Sequence, residues 1–341
     1  VVTVAIPVRD GRHRLPGVLA AVNAQQVDHE IELLICDSGS SDGSQRIAKA
    51  AGARVIDLPR QNFDHAQTRN RLLSEARGEF VAMLTQDAEP AAPDWLATLL
   101  GGFDVADDIA LVYGPYLPRD DCPPLEASRL RRFFADFAPD GRPRIDRLSD
   151  HERSPGHPAT AARIGPERGY FTDANGCIRR SAWQSIPYPP AAYAEDHALA
   201  VAMLRGGWAK VFMPDAGVLH SHHYTPTQRL RRAFDDYRGL HEVYGYRQPA
   251  DIGFLVSQLR GAAGVGLRTA RGSGESPAGT AGRIGSAIAE QVLQLTGAAL
   301  GSHAERLSPA LRRRISLTGR DSVTPLDWQA IAPVASPQRR T

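Results

Sequence analysis

The stretch IELLICDSGSSDG, Ile31–Gly43, runs an apolar, strand-like segment straight into Asp37, Gly39, Asp42 and Gly43. Two further segments share this form. FVAMLTQD, Phe80–Asp87, ends an apolar run in Thr85, Gln86 and Asp87, and VLHSHH, Val218–His223, ends one in His220, His222 and His223. A fourth motif, Glu195-Asp196-His197, places two acids ahead of the helical pattern of Ala198, Leu199, Val201 and Leu204. In open α/β sheets ligands gather beyond the carboxyl ends of the strands, so carboxylates and imidazoles at strand ends draw attention to that edge.

Outward from Ile31–Gly43, the first 115 residues alternate strand and helix patterns. Strands are expected over 1–8, 32–36, 54–58, 80–84 and 109–113, with helices over 16–26, 42–51, 66–76 and 93–103. Such alternation calls for right-handed crossovers and a mostly parallel sheet. The Gly39/Gly43 segment is not a Gly-x-Gly-x-x-Gly fingerprint, which disfavours a dinucleotide-binding domain. The pattern dissolves from Leu117 to Arg168 apart from one helix over 125–137. It returns at 170–180, in a helix after Asp196 and in a strand over 210–213. A basic amphipathic helix over 227–244 opens the last region. A Gly/Ser/Pro-rich linker is expected at 272–282, a helix over 284–300, and a frayed tail.

The 341 residues, 42% hydrophobic and 23% charged, describe an ordinary globular chain with ample core. A net charge of +2 argues against a dedicated nucleic-acid binder. The charge is uneven. Residues 252–341 hold eleven Arg against five acids, a net of +6, and residues 1–251 carry −4. A basic tail suits either an anionic membrane surface or plain solvation. Cys36, Cys122 and Cys177 are odd in number and far apart, which points to a reducing compartment and away from a disulfide framework. No run reaches the ~20 apolar residues of a membrane span. The start shows no signal-peptide pattern and opens in a strand without Met, so a few native residues are expected ahead of Val1.

Each motif has a functional and a local reading. Asp37 can accept hydrogen bonds from a ring N–H or from ribose hydroxyls, or it can close an Asx turn, as Asp42 does more naturally. Asp87 can hold a divalent cation against a diphosphate or cap a helix. One of Glu195 and Asp196 can cap while the other serves as a general base. His220 and His222 fall on one face of an extended segment and can ligate a metal together. Arg69 and Asn70 near a helix start suit a phosphate or a solvated surface.

Together these motifs resemble the inverting glycosyltransferases of family 2, closest to the rhamnosyltransferase-like branch. The resemblance rests on Ile6–Val8, Cys36–Gly43, Phe63–Asn70, Leu84–Ala88, Asn175–Cys177, Glu195-Asp196 and His220–Thr225, and covers about residues 1–245. It implies a GT-A fold in residues 1–225, with a donor-binding half over 1–115, an acceptor-binding half over 116–225 and a helical region over 226–341. It implies donor contacts from Pro7, Asp37, Arg69, Asn70, Gln86 and Asp87. Asp37 matches the acid at the nucleobase, and Asp87 the last acid of an Asp-x-Asp motif. Asp196 matches the general base. Thr85 replaces the first acid of that motif, which gives weight to His220, and next His222, as ligands for Mn2+ or Mg2+. Asp64 and Ala66-Gln67 stand where the branch shows Asn and Gly-Gly, so the donor sugar stays open, rhamnose among the choices. The implied partners are a nucleoside-diphosphate sugar and a saccharide or lipid-linked acceptor in cell-surface polysaccharide synthesis. The implied setting is cytoplasmic, with peripheral contact at the inner membrane face. A metal-dependent hydrolase and a non-catalytic nucleotide-sugar-binding protein are the alternatives.

Overall fold

Strand β1, Val2–Val8, is buried on both faces, as a central strand of a covered sheet must be. Its alternate residues serve two cores. Val4 and Ile6 join one apolar cluster and Ala5 the other. The same split recurs in Leu33/Ile35 against Leu34/Cys36, and in Ala82/Leu84 against Val81/Met83. Period-two alternation on a sheet with helices on both faces explains why these strands read as continuous apolar runs.

The protein, seen in a computed structural model that describes residues 1–154, 160–191, 193–328 and 331, is built on two sheets. The larger comprises β1, β2 (Ile31–Asp37), β3 (Arg54–Asp57), β4 (Phe80–Leu84), β6 (Ile109–Tyr113), β8 (Arg144–Asp146), β9 (Asn175–Arg179) and β10 (Ala209–Phe212), in the order β3-β2-β1-β4-β9-β6-β10-β8. The β3-β2-β1-β4 half is parallel, and β6 and β10 pair in parallel. Only β9, between β4 and β6, and the edge strand β8 run antiparallel to their neighbours. The smaller sheet joins β5 (Glu89–Pro90), β11 (Val218–Leu219) and β7 (Tyr116–Leu117). It has no counterpart in the sequence expectations, because two-residue strands leave no periodic signal.

Asn175 ties the two sheets together. Its side chain is fully buried, accepts from Trp95 Nε1 at 2.8 Å, and donates to Pro115 O at 3.1 Å and Ala216 O at 2.7 Å. Those carbonyls stand just ahead of β7 and β11. The approach is so close that a Cβ on Gly114 would lie 1.9 Å from Ala216 O, which requires glycine there.

The helices over 226–244, 252–272 and 277–302 pack on one another, and the first two also pack against the 161–168 and 124–135 helices. The linker expected at 272–282 shrinks to residues 273–276. Ser276 caps the next helix by accepting from Gly279 N, and Pro277 occupies its first turn. The Ile252–Gly272 helix was not foreseen, because its many glycines lower propensity and its packing decides the outcome. The tail is pinned rather than frayed as far as Trp328. Buried Asp235 accepts from Leu317 N and Thr318 N, buried Arg238 donates to Arg320 O, and Trp328 Nε1 donates to Val243 O. Residues 329–330 and 332–341, the rest of that expected tail, lie outside the described residues. Among the described residues no helix is long and apolar enough to cross a membrane.

Replacing Asn175 by Ala strands a buried indole N–H and two carbonyls. The expected loss is about 2–4 kcal/mol of unfolding free energy, read from chemical denaturation. A midpoint equal to that of the wild type would contradict this role.

Candidate active site

The small sheet explains how two distant motifs meet. Antiparallel pairing sets Val218 against Pro90 and Leu219 against Glu89, so the chain continues from β11 past the end of β4, where Asp87 lies. His220 Nδ1 stands 3.6 Å from Asp87 Oδ1, and His222 Nδ1 stands 3.7 Å from Asp87 Oδ2. The two Nε2 atoms are 3.3 Å apart. One ligand atom from each residue falls within 4.8 Å of the others. Burial pushes the His220 imidazole down to about 4 against the pull of Asp87, and burial also lowers His222. Burial alone would raise Asp87, but the two imidazoles outweigh it and hold the carboxyl below its usual range. Near neutral pH the group therefore stands as one carboxylate and two neutral imidazoles, a donor set that fits a borderline divalent cation. The buried His220 Nδ1 makes no protein hydrogen bond, which leaves a lone pair free for such an ion.

The same cavity, of about 920 Å³, reaches a second cluster. Arg69 is buried on the His65–Glu75 helix, with Nη1 3.0 Å from Glu195 Oε1 and Nε in direct contact with Asp173. Burial disfavours its charge, but the two carboxylates outweigh that and keep it protonated. Tyr188 donates its hydroxyl to Asp173, and burial lifts the Asp173 carboxyl to about 6. Glu195 makes no cap with its side chain, whereas Asp196 Oδ1 accepts from His197 N at 2.9 Å in the first turn of its helix. The N-cap is Ala194, held at φ 56°, a left-handed conformation that costs about 1 kcal/mol for a residue with a Cβ. Glu195 turns to Arg69 and His65, which keep it below the usual carboxylate range against its own burial. Asp196 lines the cavity beside them. Burial first, then the Glu195 and Asp173 charges, push its pKa well above the ordinary value.

The remaining expected donor residues divide. Asp37, buried at the end of β2, accepts with Oδ1 from Gly39 N, Ser40 N and Gln45 Nε2. Its buried Oδ2 makes no protein hydrogen bond and is an acceptor in search of a donor. Pro7 lies opposite Cys36 in the adjacent strand. Gln86 clasps the end of β1, accepting from Arg9 N at 2.8 Å and donating to Arg9 O at 3.1 Å. Asp42 closes an Asx turn onto Ser44 N. Two expectations shift. Arg69 lines the cavity, but its guanidinium is paired with Asp173 and Glu195. The amide of Asn70 is used up by Trp183 Nε1 and by the backbone of Tyr188, so it shapes the 183–188 turn.

Sequence reasoning did not single out Asp173 or Tyr188, whose signals are isolated polar residues in irregular chain, and it gave His65, within the Phe63–Asn70 motif, no role. It also read the arginines of the 227–244 helix as a solvated or membrane-facing surface. Arg229 and Arg238 are buried in ion pairs, and Arg232 lines the cavity, 3.0 Å from Asp236.

Residues 3–184 match the family described as Glycosyl transferase family 2. Among curated relatives, the O-antigen chain rhamnosyltransferase WbaN of Salmonella anatum is 29% identical over 214 residues. That match covers 62% of this chain and 63% of the relative, so it spans slightly less than two thirds of the relative's length. The O-antigen chain rhamnosyltransferase RfbN of Salmonella typhimurium (strain LT2) is 28% identical over 239 residues, 69% of this chain and 70% of that one. Among solved structures, the mannosyltransferase PcManGT of Pyrobaculum calidifontis, in complex with GDP-Man and Mn2+, superposes with a TM-score of 0.55 at 17% identity. It covers 88% of this chain and 86% of its own. The fold is GT-A, as the resemblance implied.

Asp87→Ala and His220→Ala are each expected to weaken Mn2+-dependent binding of a nucleoside diphosphate by tenfold or more, on the order of one lost ligand. Calorimetric titration checks this. Unchanged affinity in both variants would refute a shared cation site, and a defect confined to His222→Ala would make His222 the principal imidazole.

Proposed function

The chain belongs to glycosyl transferase family 2, and from that premise we propose that it transfers a sugar, with inversion, from a nucleoside-diphosphate donor to an acceptor hydroxyl. The observation that carries this reading is that a single cavity holds both a cation-type donor set, Asp87, His220 and His222, and a carboxyl of raised pKa, Asp196. The relatives named above favour rhamnose as the sugar and a growing surface saccharide, free or lipid-linked, as the acceptor. A lipid-linked acceptor would set the enzyme to work from the cytoplasm, at the inner face of the membrane.

The assignments follow from what each group can do. The free Oδ2 of Asp37 accepts an N–H or O–H from the nucleobase or ribose, with Pro7 beneath it and Gln86 fixing the adjoining β1 end. Asp87, His220 and His222 would hold Mn2+ or Mg2+, which supplies positive charge against the donor diphosphate. Arg232 adds a cation to the same wall. Asp196 takes the proton of the acceptor hydroxyl as that oxygen bonds to the anomeric carbon. The bond from that carbon to the diphosphate breaks in the same displacement, its electron pair leaving with the nucleoside diphosphate. No covalent sugar–enzyme bond is needed, which accounts for inversion. Arg69 lines the cavity while pairing Glu195 and Asp173, and Asn70 acts behind this surface by shaping the 183–188 turn. The presence of Asp196 in the cavity weighs against a binding-only role.

Asp196→Asn is expected to lower turnover by about 10² to 10⁴ while donor affinity is kept. Near-full turnover at saturating donor would remove Asp196 from the reaction. The pH profile offers a second check. Transfer should rise with pH as Asp196 loses its proton, along a limb displaced above the ordinary carboxylate range. Glu195→Gln deletes a neighbouring negative charge, so that limb should move to lower pH. A limb that stays in place would mean that Asp196 does not set it.

A further inference from the structure

A second concavity lies outside the active site, between the Pro124–Ala135 and Ile252–Gly272 helices. It is an open groove of about 580 Å³ whose charged lining is Arg131, Arg132 and Arg268, set among Ala127, Val265 and Thr269. Among the described residues, no carboxylate lines it. The neighbouring arginines contrast with these three. Arg129 pairs with Glu126 and Glu290, and Arg229 pairs with the same two acids. Among the described residues, Arg131, Arg132 and Arg268 enter no ion pair. The cost of holding three like charges together uncompensated is met most simply by an anionic partner.

Two aliphatic side chains are exposed nearer the start of the Ile252–Gly272 helix, on the order of 20 Å along it from Arg268. Ile252 is 80% exposed, and Val256 is exposed one turn on. At about 100° per residue, Ile252, Val256, Arg260, Arg268 and Arg271 fall within less than half of the helix circumference. A stripe that joins exposed aliphatic side chains to guanidinium groups matches a bilayer interface, where the aliphatics enter the headgroup boundary and the arginines meet lipid phosphates. A site for free phosphate would have no use for Ile252 and Val256.

The groove also has a geometric link to the active site. The Pro124–Ala135 helix carries Arg131 and Arg132 on the groove, and Glu126, Arg129, Leu130 and Phe133 on the active-site cavity. Phe133 lines that cavity and is itself 44% exposed. We propose that Arg131, Arg132, Arg268 and the Ile252/Val256 stripe dock the protein on anionic phospholipid headgroups, with the active-site mouth facing the bilayer. The proposal rests on the glycosyltransferase reading and specifies that its acceptor is reached at a membrane surface.

The test is co-sedimentation of the full chain with phosphatidylglycerol/phosphatidylcholine vesicles and with phosphatidylcholine vesicles, at low and high salt. The wild type should sediment with the anionic vesicles only, and less so at high salt. The R131Q/R132Q/R268Q variant should bind on the order of 100-fold more weakly, from about fivefold per arginine, with its melting temperature kept. Ile252→Ser should weaken binding even at low salt. Absence of wild-type binding to anionic vesicles at low salt, or equal binding by the triple variant, would overturn the proposal. So would release from vesicles by millimolar inorganic phosphate at constant ionic strength, which would mark a site for a free anion. Stabilisation by a nucleoside diphosphate with Mn2+, measured on the same samples, separates the two readings. Its loss in the wild type would refute the enzyme reading and leave the vesicle result standing.

Discussion

One buried guanidinium organises the chemistry of this protein. Arg69 sits between Asp173 and Glu195, largely removed from water, where a lone charge would be costly. Breaking such a set by removing one partner costs about 3–5 kcal/mol, because the others are left charged and buried. The guanidinium joins three pieces of chain: the His65–Glu75 helix, the residues ahead of β9, and the start of the Glu195–Arg205 helix. With Glu195 engaged, its neighbour Asp196 is carried into the cavity, and Ala194 takes a left-handed conformation to bring the helix in at that angle. Burial first, and then the same crowding of carboxylates, raises the Asp196 pKa. The raised pKa of Asp196 is thus tied to the interaction that holds the fold together at this point.

The second constraint is topological. Parallel strands β1, β2 and β4 end on one edge, which delivers Asp37 and Asp87 there from separate parts of the chain. The imidazoles arrive by another route. β11 is only two residues long, yet its pairing with β5 and β7 brings His220 alongside Asp87. Asn175 secures that small sheet to the large one through Pro115 and Ala216. A third wall comes from the Pro226–Tyr244 helix, so the helical region contributes to the cavity. Buried Asp235 and Arg238 on that helix fix the path of residues 316–322, and Thr318 reaches the cavity by that path.

Much of this was legible in the sequence because period-two apolar runs and amphipathic helices are local signals. β1, β2, β4 and β6, the helices between them, and the catalytic-type residues at their ends all follow from such patterns. Asp37, Asp87, Asp196, His220 and His222 could be named because each ends or precedes a strongly periodic segment. What stayed hidden depends on contacts between distant residues. Nothing local distinguishes Asp173 from any polar residue in irregular chain, and its role exists only beside Arg69. Arg69 itself was expected at a phosphate because a helix start and a guanidinium suggest one, but two carboxylates claimed it first. The arginines of the 226–244 helix looked solvated since amphipathicity gives no warning that an acid from another helix will bury Arg229. The groove arginines, by contrast, became visible only when two helices far apart in sequence were placed together.

The central claim is that this cavity binds a nucleoside diphosphate through a cation. The most direct measurement is the melting temperature with a panel of nucleoside diphosphates and nucleotide sugars, with and without Mn2+. Ligand at about 100 times its Kd should add about 2.7 kcal/mol of stability. The account predicts a clear rise for a diphosphate together with Mn2+, a smaller one for either alone, and none for a simple phosphate monoester. A rise that is equal with and without the cation, or one given by the monoester instead of the diphosphate, would contradict it.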